Sequence, residues 1–256
     1  MLKREVNIIL NALVFYTRLP VPKSIVCNEQ SLAAALRYLP SVGLLVGGLS
    51  ALLYGCLIFI VPREIAIIAV MAFSILLTGA FHEDGLADFA DGFGGGYGKE
   101  RIMSIMKDSF IGSYGVIALI LGLGGKYVLL THLPEPWVAP ALVIGPAVSR
   151  FAPLVLVRFS SYARLSNGKG MQNRMGIPIS SLCFAALTSL PLCFYFVWMV
   201  ALGILLLELI LCLWMYRYTL RLIGGYTGDC LGALQQLEEL LFYFLLLALP
   251  NLIALL

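Results

Sequence analysis

Three aspartates in one short segment have the spacing of a single helix face. Asp84, Asp88 and Asp91 stand at positions i, i+4 and i+7, so on a helix their carboxylates share one face over two turns. Like charges this close repel one another unless a cation neutralises them, and oxygen ligands suit a hard ion such as Mg²⁺ or Mn²⁺. The spacing therefore predicts a helix that binds a divalent metal, with a solvated acidic loop as the alternative. Gly85 and Gly92, beside the carboxylates, would let another backbone or a phosphate approach closely.

Two further segments hold candidate ligands. Lys107 and Asp108 precede an apolar stretch, where they would contact phosphate and metal respectively, or form an ordinary polar start of a helix. Residues 224–239 contain a glycine-rich turn that leads into a helical pattern, and such a turn can present backbone N–H groups to phosphate. Gly228 is the predicted phosphate-binding position of that turn and Asp229 is a predicted metal ligand, with an ordinary connecting loop as the alternative.

Other ionisable residues are more ambiguous. His82 lies on the opposite side of the predicted acidic helix, where it would act as a general base or as a structural hydrogen-bonding group. Arg150 falls near the end of an apolar stretch, where burial is costly and indicates a function with a partner, unless the side chain extends to water. Lys126 and Glu208 have no sequence neighbours that indicate a function, and Glu238–Glu239 are expected at the water boundary.

The chain that positions these residues is very apolar. Of its 256 residues, 61% are hydrophobic and 12% are charged, about half the usual charged fraction of a soluble domain, so we expect a membrane protein. Seven apolar stretches are long enough to cross a bilayer as helices, roughly residues 39–61, 65–81, 110–131, 137–157, 179–197, 199–216 and 239–256. The N-terminal stretch predicts an interfacial amphipathic helix from apolar residues at helical spacing, which are Val6, Ile9, Leu10 and Leu13. The sequence therefore predicts an all-α, polytopic membrane protein with one domain over residues 1–256.

Lysine and arginine lie mostly on one side of this predicted topology. One side holds Lys3, Arg4, Arg18, Lys23, Arg37, Lys99, Arg101, Lys107, Arg158, Arg164, Lys169, Arg174, Arg217 and Arg221, whereas the opposite side holds Arg63. Cytoplasmic loops carry such an excess, so the N-terminus and the polar loops are predicted to be cytoplasmic. The net charge of +3 is too small to indicate nucleic-acid binding.

Five motifs together resemble the cobalamin synthase family. They are Phe15–Pro22 (FYTRLPVP), His82–Gly92 (HEDGLADFADG), Ile105–Gly115 (IMKDSFIGSYG), Ala147–Arg150 (AVSR) and Gly224–Ala233 (GGYTGDCLGA). The likeness runs nearly end to end, and the combination is far more specific than any one motif. Glu83 and Phe89 depart from the family pattern, and Glu83 adds a carboxylate that complicates the assignment of ligands.

The resemblance implies a Mg²⁺-dependent, multi-pass enzyme of the bacterial cytoplasmic (inner) membrane. Such an enzyme would join adenosylcobinamide-GDP to α-ribazole or its 5′-phosphate and release GMP. Asp84, Asp88 and Asp91 would then hold Mg²⁺ on the diphosphate, with Asp229 or Asp108 completing the metal shell. The hydroxyl proton would go to His82 or to one of the aspartates, and Lys107 and Arg150 would contact phosphate. Assembly into a homo-oligomer stays open.

Two other classes of membrane protein place carboxylates on helices. Phosphotransferases of the CDP-alcohol type need an arginine soon after a DGxxA motif, but here Ala87 is followed by Asp88. Ion-coupled transporters keep their binding groups near the middle of the membrane, often on interrupted helices. The acidic groups of this chain are instead expected in loops on one face, which favours an enzyme.

Overall fold

The structure is a computed structural model that describes residues 2–22, 25–163 and 176–253. Over these residues the chain is helical, and the only β-type pairing there is an isolated bridge between Tyr162 and Tyr226. The helices are α1 (Leu2–Tyr16), α2 (Glu29–Ala35), α3 (Leu39–Leu57), α4 (Arg63–Thr78), α5 (Phe81–Gly95), α6 (Lys99–Ile105), α7 (Ser113–His132), α8 (Glu135–Val148), α9 (Ala152–Phe159), α10 (Ile179–Ser189), α11 (Trp198–Ile223) and α12 (Gly228–Ile253). The predicted all-α class is confirmed.

Several of these helices are long and apolar enough to cross a membrane. Within the described ranges there are five such stretches: Gln30–Leu57, Ser113–His132, Glu135–Phe159, Trp198–Ile223 and Gly228–Pro250. The bent pair Arg63–Thr78 and Phe81–Gly95 would make a sixth if the two helices together form one span. The chain is therefore a polytopic membrane protein, with fewer full-length spans than the seven apolar stretches.

Two of the predicted stretches are shorter in the structure. The stretch at 65–81 ends as a helix at Thr78, and the one at 179–197 divides into α10 and a 3₁₀ segment, Leu190–Tyr195. Pro191 stands at the start of that 3₁₀ segment, where it removes a backbone donor that a continuous α-helix would need. Four of the basic residues used to predict the orientation lie outside the described residues, namely Lys23, Arg164, Lys169 and Arg174.

The N-terminal helix forms where it was predicted. Ile8, Ala12 and Tyr16 of α1 are buried against the rest of the protein, whereas Val6 and Ile9 are exposed. One side of α1 therefore packs against the protein, and another side exposes apolar residues. This arrangement fits a helix that lies at the membrane surface.

A sharp turn between α4 and α5 sets the direction of the acidic helix. Gly79 ends α4 in the left-handed conformation (φ 71°), and its N–H faces the carbonyls of Ile75 and Leu76, as is common at helix ends. Ala80 follows with φ 59°, which costs about 1–2 kcal/mol for a residue with a Cβ. The two helices consequently meet at 87°, and α5 turns back onto the bundle, where it packs against α7 and α12.

Buried polar residues separate the apolar interior into two clusters. One cluster includes residues of α1, α5, α9 and the first turns of α12, and the other includes residues of α4, α8 and the later turns of α12. Along α12, Leu234 belongs to the first cluster and Phe242 to the second. The polar residues between them are buried, and they are Gln235, Gln236, Glu238 and Glu239. Polar groups at such depth in a membrane protein are expensive and indicate function.

Candidate active site

The predicted acidic helix is α5. Its three aspartates differ in exposure, because Asp84 is exposed, Asp88 is half-buried and Asp91 is 8% exposed. His82, on the opposite side of the helix, is buried. The acidic face therefore runs from solvent into the protein, and its carboxylates lie in different environments.

Asp91 fixes the beginning of α7. Its Oδ2 accepts a hydrogen bond from the Gly112 N–H (2.7 Å), and its Oδ1 accepts one from the Gly115 N–H (2.8 Å). A Cβ at either glycine would lie 2.4 Å from an Asp91 oxygen, so both positions must lack a side chain. Backbone N–H groups at the start of a helix lack partners within the helix and favour a negative charge. The structure thus gives Asp91 a positioning role, and its role as a metal ligand stays a prediction.

The helices α5 and α12 cross with their backbones in close contact. A Cβ at Gly85 would lie 3.2 Å from the Asp229 carbonyl oxygen and from Gly232 Cα, and 3.3 Å from Asp229 Cα. This confirms that Gly85 allows another backbone to approach. Because Gly85 directly follows Asp84, the crossing brings the Asp229 backbone against the first turns of the acidic helix.

A short turn orients Asp229 at the start of α12. Gly224 ends α11 in the left-handed conformation (φ 78°), and the chain enters α12 at Gly228 four residues later. Thr227 is fully buried, and its Oγ1 donates a hydrogen bond to Asp229 Oδ2 (3.2 Å). A buried hydroxyl therefore holds one oxygen of the Asp229 carboxylate in place.

Lys107 and Asp108 are exposed in the loop between α6 and α7. Asp108 Oδ1 accepts a hydrogen bond from the Phe110 N–H (3.2 Å), a local turn that such residues commonly form. The contact between Asp91 and Gly112 holds the end of this loop against α5. Their roles toward phosphate and metal stay predictions.

Gly228, the predicted phosphate-binding position, is exposed, and no atom lies within 4 Å of the position that a Cβ would take. The space around the first turn of α12 is therefore open to a ligand.

Arg150 lies in the interior, at 3% exposure. Its Nη1 donates a hydrogen bond to the Pro146 carbonyl (2.7 Å), and its charge interacts with Glu239 and Glu83. One backbone carbonyl and the charges of two carboxylates therefore stabilise the buried guanidinium. Contact with a substrate phosphate would require the phosphate to reach this depth.

A buried ion pair that the sequence alone does not predict connects α7 to α12. Lys126 Nζ lies 2.5 Å from Glu239 Oε1, which also accepts a hydrogen bond from the Tyr243 hydroxyl (2.9 Å). Gln235 Nε2 donates to Glu239 Oε2 (2.7 Å) and to Ser149 Oγ (3.0 Å). Glu238 and Glu239 are both buried rather than at the water boundary, because α12 begins at Gly228 and not near residue 239.

This network reaches the acidic helix through Gln236. Gln236 Nε2 donates to Gln235 Oε1 (3.1 Å) and to Glu83 Oε1 (3.0 Å). Glu83 thus ties α5 to α12 one residue before Asp84. Polar residues within apolar stretches were the available signal, but the partners of Lys126 lie more than 100 residues away in sequence.

The oxygen donors at the crossing suit Mg²⁺ in their chemistry. Among the described residues, no three His, Cys, Asp or Glu side chains are grouped closely enough to form a preformed metal site. Mg²⁺ is commonly held by one or two carboxylates together with substrate phosphates and water. Asp84, Asp88 and Asp229 can supply such carboxylates, whereas Asp91 already has a backbone N–H on each oxygen.

Comparison with known proteins gives one consistent result. The family model described as cobalamin-5-phosphate synthase matches residues 8–247. The chain is 39% identical over 250 residues to the adenosylcobinamide-GDP ribazoletransferase of Vibrio cholerae serotype O1, covering 96% of this chain and 95% of that protein. Proteins of the same name from Shewanella amazonensis and Shewanella pealeana are 40% and 42% identical, and each alignment covers 96% of this chain and 97% of the relative. No solved structure matches the chain.

Proposed function

The chain belongs to the cobalamin-5-phosphate synthase family, and on this premise we propose that it joins adenosylcobinamide-GDP to α-ribazole or its 5′-phosphate. Membership makes the chain an enzyme, a transferase of cobalamin assembly. The observation that carries the proposal is the crossing of α5 and α12, where the backbone of Asp229 lies against Gly85, the residue after Asp84.

The reaction exchanges one phosphorus–oxygen bond for another. A ribose hydroxyl oxygen of the nucleoside bonds to the phosphorus that carries cobinamide. The bond from that phosphorus to the bridging oxygen breaks, and GMP leaves with this oxygen. The hydroxyl proton passes to a base, for which His82 and the carboxylates at the crossing are the candidates.

We infer that one or two carboxylates among Asp84, Asp88, Asp229 and Asp108 would hold the metal together with the substrate phosphates. When bound, Mg²⁺ supplies positive charge that neutralises the diphosphate and stabilises the departing GMP. Asp91 instead holds α7 and its preceding loop in place, so that Lys107 can face the phosphates. Arg150 belongs to the interior network that fixes α5 against α12.

We further propose that the protein resides in the bacterial cytoplasmic (inner) membrane with its N-terminus in the cytoplasm. The excess of lysine and arginine on one predicted side supports this orientation. Both substrates would then reach the crossing of α5 and α12 from the cytoplasm.

The proposal is tested by incubating purified protein in lipid with adenosylcobinamide-GDP and α-ribazole, with and without Mg²⁺. We expect GMP and a cobalamin product in equal amounts, and only when Mg²⁺ is present. If GMP forms without α-ribazole, the enzyme is a hydrolase rather than a transferase, and the proposal is wrong.

A further inference from the structure

A cavity of about 360 Å³ lies beside the crossing of α5 and α12. Side chains of α1, the start of α5, α9 and the start of α12 line it, among them Tyr16, Phe81, His82, Leu154, Tyr226 and Leu231. Ligand sites in proteins have volumes of about 300–1,000 Å³, so this cavity has room for a small aromatic group.

Aromatic rings form two walls of the cavity. On one wall the Phe81 ring stands edge-on to the rings of Phe15 (5.7 Å between centroids), Tyr16 (6.0 Å) and His82 (5.4 Å). On another wall Tyr226 packs edge-on against Tyr162 (5.6 Å). Rings in these arrangements present flat apolar faces and edges that suit a planar aromatic ligand.

The walls carry little charge. Apart from His82, the residues that line the cavity are apolar residues, glycines and tyrosines. Burial raises the pKa of Tyr226 to about 12, so its hydroxyl stays neutral at physiological pH. A charged ligand would lose its hydration here without compensation, whereas a neutral apolar ring would gain from burial.

The cavity opens beside the carboxylates assigned to the metal. Gly228 and Gly232 of α12 line it, and Asp229 follows Gly228 directly in the chain. A Cβ at Gly232 would lie 3.3 Å from the His82 carbonyl and from Gly85 Cα, so the cavity borders the contact between the two helices. A nucleoside with its base in the cavity would therefore have its ribose close to Asp229.

We propose that this cavity binds the dimethylbenzimidazole base of α-ribazole. The proposal rests on the function proposed above and adds the position of the nucleoside acceptor. The base is flat, neutral and apolar at its methylated edge, which matches the walls. Guanine carries donors and acceptors around its rim that these walls would leave unpaired, and a corrin ring is much larger than the cavity.

The test fills the cavity at Gly228. No atom lies within 4 Å of the position of a Cβ there, and the same holds at Gly124 on α7, which is not among the residues that line the cavity. Gly228→Val and Gly124→Val are therefore a matched pair. A second variant, Phe15→Ala, removes a half-exposed ring from the wall.

Binding of α-ribazole is measured by equilibrium dialysis in nanodiscs. KM is measured for α-ribazole, for the riboside of unsubstituted benzimidazole and for adenosylcobinamide-GDP.

We expect Gly228→Val to weaken α-ribazole binding by about tenfold or more, and to shift the KM ratio in favour of the smaller, unmethylated base. Phe15→Ala should weaken the binding of both nucleosides. Phe15→Ala should not change KM for adenosylcobinamide-GDP, and Gly124→Val should change nothing.

Unchanged α-ribazole binding in Gly228→Val and Phe15→Ala would overturn the proposal, as would an effect confined to KM for adenosylcobinamide-GDP. Competition by added lipid acyl chains alone would assign the cavity to lipid and also overturn it. Failure of the proposed function looks different, because the unmodified protein would then bind α-ribazole without releasing GMP.

Discussion

At the scale of single residues, the three aspartates of α5 have the same helical spacing but different surroundings. These surroundings indicate different roles. Asp84 and Asp88 face outward or partly outward, whereas both oxygens of Asp91 accept backbone N–H groups of the next long helix. The sequence predicts their common face correctly because helical spacing is local. It does not reveal the partners of Asp91, because Gly112 and Gly115 meet it only after the chain folds back.

Asp91→Asn tests the positioning role. An amide replaces one accepting oxygen by a donor, so one of the two backbone N–H groups loses its partner, at a cost of about 1–3 kcal/mol. We expect lower thermal stability in lipid and a lower rate of GMP release, with an unchanged Mg²⁺ concentration for half-maximal rate. Glu100→Gln is the control, because its carboxylate is exposed on α6 and has no proposed role in the site. A large rise in the Mg²⁺ requirement of Asp91→Asn would instead make Asp91 a metal ligand.

Lys126 and Glu239 show the limit of sequence reasoning about buried charges. Each is a single ionisable residue in an apolar stretch, and nothing near it in the chain indicates its partner. The pairing depends on the packing of α7 against α12, which brings the Lys126 and Glu239 side chains within 2.5 Å. Charged groups in membrane interiors are nevertheless expected to be paired, so the sequence predicts that partners exist without identifying them.

Changing one member of this pair should be worse than changing both. Lys126→Met leaves Glu239 with a buried charge that has lost its cation, and such a change costs about 3–5 kcal/mol. Lys126→Met combined with Glu239→Gln removes both charges, so we expect it to recover much of the loss. Thermal unfolding of the single and double variants in the same lipid measures this coupling. Additive losses in the double variant would show that the two residues act independently.

At the scale of helices, two backbone features position the acidic helix α5 against α12. The left-handed residues Gly79 and Ala80 turn α5 by 87° from α4, and the close approach at Gly85 presses α5 against α12. The sequence predicts that another segment of the chain can approach Gly85 closely. Only the fold shows that this segment is the start of α12. The apolar stretches at 65–81 and 179–197 also look continuous in sequence, because hydropathy does not register a turn at Gly79 or a 3₁₀ segment at Pro191.

Gly85→Val tests the helix crossing. Its side chain would meet the backbone of Asp229 and Gly232 at 3.2–3.3 Å from the Cβ, and backbone cannot move aside as a flexible side chain can. We expect the rate of GMP release to fall by about tenfold or more, since an ångström-scale displacement at a site is that costly. Gly48→Val is the matched control, because no atom lies within 4 Å of a Cβ at Gly48 on α3. Equal rates in the two variants would show that the spacing at this crossing does not matter.

At the scale of the whole molecule, the all-α membrane fold follows from composition, and the proposed orientation rests on where the basic residues lie. The burial pattern adds what composition cannot provide, namely a polar layer between two apolar clusters. This layer connects α7, α8 and α12 to Glu83, directly before the first aspartate of the acidic face.

The native cysteines offer a test of orientation. Cys27 precedes the first membrane-crossing stretch, Gln30–Leu57, and Cys56 lies in its last turn; both are exposed, while Cys193, Cys212 and Cys230 are buried. Variants that lack Cys183 and keep either Cys27 or Cys56 can be treated in intact cells with a membrane-impermeant maleimide. With the N-terminus in the cytoplasm, Cys56 should be labelled and Cys27 should not, until the cells are opened. The reverse pattern would place the N-terminus and the acidic helix outside.

The most direct test of the account is the rate of GMP release as a function of Mg²⁺ concentration, for the unmodified protein and for Asp88→Asn. Glu100→Gln, at an exposed position on α6, serves as the control for loss of a surface charge. We predict Mg²⁺-dependent release in the unmodified protein and in the control, and a loss of more than about nine-tenths of the rate in Asp88→Asn at every Mg²⁺ concentration. An Asp88→Asn protein that keeps more than about a tenth of the rate, or release that does not need Mg²⁺, would contradict the assignment of the metal to the acidic face of α5.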